Sequence, residues 1–130
     1  MTKKYELKEY CMAKDDYNVI SYKVLAYLYG IFKRKITYDQ NVFRKLISLD
    51  DINEQYFSDV LRNLQTEGYI EGLHFTKAWG NEYILTSEYS DMFITHKGIQ
   101  YLSENNSMKQ IKEILINNVG LIGSLIKIIF

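Results

Sequence analysis

Apolar positions along the chain recur first at helical spacing, then at strand spacing, then at helical spacing again. Asp15, Asp16 and Asn18 are good N-cap types, and a long helix follows them. Ile20, Val24, Tyr27, Leu28 and Ile31 give it one apolar face, and Tyr22, Leu25, Tyr29 and Phe32 a second beside it. A helix apolar on two sides belongs at the centre of a core. A shorter helix is predicted over 41–47, with Val42, Phe43, Leu46 and Ile47 inward. A third starts at Asn53, where Ile52 can staple onto Phe57, and buries Phe57, Val60, Leu61 and Leu64. Gly68 stops it, because glycine accepts the left-handed C-cap conformation. Residues 69–75 then read as a strand, 77–81 as a turn and 82–86 as the returning strand, with a brief third strand at 92–94. Thr95 caps a helix over 96–104, Asn105-Asn106 breaks it, and Ser107 caps a final helix from Met108 onward. Residues 2–12 form at most a short helix that partly covers Tyr5, Leu7 and Cys11.

Three helices followed by a hairpin describe an α+β winged helix, a three-helix core plus a β-wing, with additional C-terminal helices. The predicted organisation is an N-terminal extension over 1–17, a winged-helix domain over 18–106 and an apolar C-terminal helix over 107–130. At 130 residues the chain suits one domain that needs no metal or disulfide to hold it. Cys11 is the only cysteine, which fits a reducing cytoplasm, and MTKKYELKEY lacks the apolar core of a secretion signal.

Charge changes the picture. Lys and Arg balance Asp and Glu, 16 against 16, so the whole chain exerts no electrostatic pull on nucleic acid. The distribution is uneven. Between 17 and 48, Lys23, Lys33, Arg34, Lys35, Arg44 and Lys45 face only Asp39. Between 49 and 72, Asp50, Asp51, Glu54, Asp59, Glu67 and Glu71 face only Arg62. The 12 tyrosines exceed what a core of this size needs, so some belong at the surface.

Three segments resemble the YjcQ-like proteins of Gram-positive bacteria and their prophages. They are EGYIEGLHF at 67–75, FITHKGIQYLSENN at 93–106 and SMKQIKEI at 107–114. The likeness runs from residue 18 to about 115, and it rests on the order of the segments as much as on any one. It implies a winged helix of phage-related origin and says little about activity. The N-terminal extension and the apolar tail lie outside it.

In a winged helix the third helix enters the major groove of double-stranded DNA. Its outward residues here are Glu54, Gln55, Ser58, Asp59, Arg62, Asn63 and Thr66. Gln55 and Asn63 suit adenine and Arg62 suits guanine, and with Ser58 they are the candidate base contacts. Lys33, Arg34, Lys35, Arg44, Lys45 and Lys77 are the candidate phosphate contacts. For Lys33-Arg34-Lys35 the competing role is to complement the dipole at the end of the first helix. Glu54 and Asp59 oppose DNA binding, since they would meet the phosphate charge. The favoured reading is a phage- or prophage-linked transcriptional regulator that binds double-stranded DNA. The rival is a protein-contact module that uses the acidic third helix, with Tyr69, Trp79, Tyr83 and Tyr89 as anchors around the wing.

The tail ILINNVGLIGSLIKIIF is shorter and more interrupted than a membrane span of about 20 apolar residues. It can pack back on the first helix, form a dimer interface or lie on a membrane surface. Lys127 is too small a basic supply for the last. Homodimerisation is favoured, through Val119, Leu121, Ile122, Leu125 and Ile128. Catalysis has little support: His74 and His96 have no cysteine or carboxylate at a ligand spacing, Asp50-Asp51 suits a turn, and phosphate-loop and nucleophile-elbow motifs are absent. No enzyme, metal or cofactor is expected.

Overall fold

Asp16 opens the first helix: its carboxylate accepts from the backbone N–H of Asn18 and Val19 at 2.9 and 3.1 Å. A computed structural model describes Ala13 and residues 16–130. The expected helix over 2–12, Cys11 and Asp15 lie outside the described residues. Helix α1 (Tyr17–Phe32) has every residue from Val19 to Leu28 buried. Both predicted stripes are used, except that Phe32 is exposed at the helix end.

Helix α2 (Gln40–Ile47) is capped by Asp39 and α3 (Glu54–Thr66) by Asn53, with a 3-10 turn at Leu49–Asp51 between them. Phe43, Leu46, Ile47, Phe57, Val60, Leu61 and Leu64 are buried against α1, as their spacing predicts. Helix α4 (His96–Glu104) starts at Thr95, whose hydroxyl accepts from Gly98 N–H at 3.0 Å and donates to Gly68 carbonyl oxygen at 2.6 Å. The described residues thus form an α+β fold of six helices and two small antiparallel sheets.

The predicted strand over 69–75 is in fact two. Strand β1 (Ile70–Glu71) pairs with β4 (Phe93–Ile94), with Ile70 opposite Ile94. Strand β2 (Phe75–Lys77) pairs with β3 (Tyr83–Leu85), with Phe75 opposite Leu85 and Lys77 opposite Tyr83. The break falls at Gly72, where φ is +103° and a Cβ would collide with the Asp91 carbonyl oxygen. Only glycine fits that backbone and that approach. The segment 92–94 therefore closes on β1 and does not extend the hairpin.

Gln65 bridges the gap between the two sheets. Its amide donates to Leu73 carbonyl oxygen and accepts from Leu73 N–H, both at 2.9 Å. A helix side chain thereby satisfies both backbone groups of a buried residue where a neighbouring strand would ordinarily do so.

The final helix also differs from expectation. Asn105, not Ser107, caps it, accepting from Met108 N–H at 3.1 Å. It then divides into α5 (Asn106–Ile116) and α6 (Leu121–Ile129), separated by a turn that ends at Gly120 with φ +120°. Of the three arrangements open to the tail, the one seen is packing on α1. Met108, Ile111, Leu115, Leu125 and Ile126 share its core, and Lys33 Nζ donates to Ile129 carbonyl oxygen at 2.6 Å.

Replacing Gln65 by Ala leaves the Leu73 N–H and carbonyl unpaired in a buried setting and is expected to cost about 2 kcal/mol. Urea unfolding of Gln65→Ala beside Thr66→Ala, an exposed neighbour, measures it. A loss no greater than that of Thr66→Ala would show that the bridge contributes nothing.

Candidate functional site

The predicted reading face of α3 is turned toward the β2–β3 hairpin. Gln55 Nε2 donates to Asp59 Oδ1 at 3.1 Å and to Tyr83 carbonyl oxygen at 2.9 Å. The Arg62 guanidinium lies over the Tyr83 ring, 3.7 Å from its centroid. Ser58 was expected outward and is buried, with its hydroxyl paired to no described residue, because the hairpin folds over this part of the helix. Asn63, Glu54 and Asp59 remain exposed. Of the candidate base-reading groups, only Asn63 thus projects without a contact to the wing, and two carboxylates flank the rest.

The basic residues divide in the same way. Lys33 is committed to the tail: its ammonium caps α6 at Ile129 and sits 4.8 Å from the Tyr29 ring and 5.7 Å from the Phe130 ring. The dipole it complements is that of α6, a partner no local pattern could reveal. Arg44 forms an ion pair with Asp50 at 2.9 Å. Arg34, Lys35, Lys45 and Lys77 are exposed. Arg34 and Lys35 sit in the turn after α1, Lys45 on α2 and Lys77 on β2.

The aromatic candidates are split between core and surface. Tyr89 packs its ring 5.6 Å from Phe43 and 5.5 Å from Phe57, and burial raises its phenol above the ordinary value. Tyr69 stacks on Tyr101 at 4.3 Å, with Lys97 5.4 Å from the Tyr69 centroid. Tyr38, held against Tyr27 and Phe43, has its phenol pushed up to about 12, chiefly by burial. Trp79 at the wing tip is 97% exposed. Of the tail positions predicted to pair two copies, Leu125 is buried within its own chain and Ile122 is partly buried against the same core. Val119, Leu121 and Ile128 are exposed.

Between α3, the start of α2 and β3 lies an open groove of about 610 Å³. Glu54, Gln55 and Ser58 line it from α3, Ile84 and Leu85 from β3, and Glu88 and Tyr89 from the segment after β3. Sequence reasoning missed Glu88 in this setting, because only the return of the chain after β3 brings it to α3. Gln65 was missed as well, since a polar residue on a helix surface ordinarily signals only solvent.

His74 and His96 are both exposed, the first in the segment between β1 and β2 and the second at the start of α4. Among the described residues no three His, Cys, Asp or Glu side chains gather where they could hold a metal ion. Nor is any described helix long and apolar enough to cross a membrane. No curated protein and no solved structure matches the chain. A family model does: that of the YjcQ protein covers residues 22–117, from within α1 to the end of α5. The chain therefore belongs to the YjcQ protein family.

Proposed function

We propose that the chain is a winged-helix module without catalysis of its own, and that it acts in the cytoplasm by contacting another protein through α3 and the wing. The order α1, α2, α3, then a hairpin of β2 and β3, supports the winged-helix assignment. One observation carries the protein reading: Gln55 and Arg62, the side chains best suited to reading bases, are engaged by Tyr83, while Glu54 and Asp59 stand exposed beside them. An acidic helix face repels the phosphate backbone, which carries one charge per ~1.7 Å of duplex. Trp79, a large ring held out at the wing tip, suits a protein interface, where aromatic side chains carry much of the binding energy.

A phage-related regulator that binds double-stranded DNA is the second reading. It is favoured by the exposure of Arg34, Lys35, Lys45 and Lys77, four cations left for phosphate contact. A homodimer would double that number. Its interface would use the exposed tail residues Val119, Leu121 and Ile128.

A duplex titration at ~50 and ~200 mM salt separates the two readings. The protein reading predicts negligible affinity at both, with the emission of Trp79, the only tryptophan, unmoved. Tight binding that falls steeply with salt, and that Arg34→Ala with Lys35→Ala weakens for every sequence alike, would overturn it in favour of DNA. Lys33 is left intact in that variant because it holds the tail. For the dimer, sedimentation equilibrium of Leu121→Glu with Ile128→Glu should give a monomer where the parent chain gives a dimer. A monomeric parent, or an unaltered dimer in the variant, would remove those residues from the interface.

A further inference from the structure

Two ammonium groups share one aromatic ring where the tail meets the core. Lys112 Nζ lies 4.1 Å from the Phe130 centroid and Lys33 Nζ 5.7 Å from it, with the Tyr29 ring centroid 5.8 Å away. These residues and Lys109 border an open pocket of about 370 Å³. Helix α1 supplies Tyr29 and Lys33, α5 supplies Lys109 and Lys112, and Phe130 follows α6.

The charge of this pocket is uncompensated. Three lysines line it, and no Asp or Glu does. Among the described residues, no carboxylate forms an ion pair with any of the three. Arg44, in the groove beside α3, differs in this respect because Asp50 neutralises it. Like charges gathered around one space repel, and the face of a ring offsets only part of that cost. Lys33 and Lys112 are half-buried, where salt screens them less than it screens an exposed charge. Lys33 is also held in place, since its ammonium donates to Ile129 carbonyl oxygen at 2.6 Å.

An anion relieves the repulsion. An ammonium is a compact point charge with three donors, which suits the oxygens of a phosphate group without demanding one direction of approach. The volume falls within the range of small-ligand sites, roughly 300–1,000 Å³. We propose that the pocket formed by Lys33, Lys109, Lys112 and Phe130 binds a phosphate group of at least two negative charges, and that the bound anion fastens α6 onto the core. The fastening follows from position. Phe130 contacts both Lys33 and Lys112, so an anion joining those lysines closes a circuit of contacts from α1 through the end of α6 to α5. The site goes beyond the α3–wing reading and uses none of its residues.

Inorganic pyrophosphate serves as the probe, titrated at constant ionic strength into the isotopically labelled full chain, with sodium chloride as the reference. The expected result is saturable movement of the Lys109, Lys112 and Phe130 amides, with several-fold slower hydrogen exchange at Leu125 and Ile126. Lys109→Gln with Lys112→Gln should weaken the apparent Kd by about tenfold or more. Lys127→Gln, exposed on α6 and outside the pocket, should leave it unchanged. Unmoved shifts elsewhere will show that the variants fold. Equal movement at Arg34, Lys35 and Lys45, the same response to chloride, or a Kd indifferent to the double variant would overturn the site. Unaltered exchange in α6 at saturation would overturn the fastening. A short duplex that displaces pyrophosphate would support the site and assign its phosphate to nucleic acid. A duplex that leaves pyrophosphate bound would support the site and assign it to a free phosphate compound.

Discussion

Helix α1 sets the constraint under which the rest of the structure forms. From Val19 to Leu28 it is buried on all sides, with Ser21 and Lys23 the polar residues among apolar ones, so every neighbour must cover part of it. The five other described helices and β4 all pack against it. Burying apolar surface stabilises by about 25 cal/mol per Å², so leaving one side of such a helix wet would be costly. This accounts for the tail. Without α6, a stretch of α1 near Tyr29 and Gly30 would face water. With α6 in place, Leu125, Ile126 and Ile129 cover it, and Lys33 closes the end.

Much of this was legible in the sequence because it is local. Helical spacing placed Ile20, Val24 and Leu28 inward, and the caps Asn53 and Thr95 act as their residue types suggest. What the sequence hid depends on contacts between distant segments. The two-sheet arrangement needs Gly72 to turn the chain and Gln65 to hold the freed backbone, and neither role has a local signature. The division of the last helix did have one. Asn117-Asn118 followed by Gly120 repeats the stop signal of Asn105-Asn106, yet the strong apolar period around it masks the interruption.

The candidate site was less legible than the fold, for a related reason. Exposure on a helix can be inferred from spacing only while nothing else covers the helix. Here the hairpin does. It buries Ser58, takes up Gln55 and lays Tyr83 under Arg62. A face that spacing alone assigns to bases is thus partly consumed within the chain. What remains exposed is acidic on α3 and basic after α1 and on α2, so the two halves of the charge pattern form separate surfaces.

The central claim is that α3 and the wing engage each other through Tyr83, and side-chain NMR tests it most directly. An Arg62 stacked on Tyr83 should show ring-current shifts at its side-chain protons, with cross-relaxation to the ring, and Tyr83→Leu should abolish both. Ordinary Arg62 shifts in the parent chain would contradict the account, because the helix face would then be open and its polar groups available to DNA.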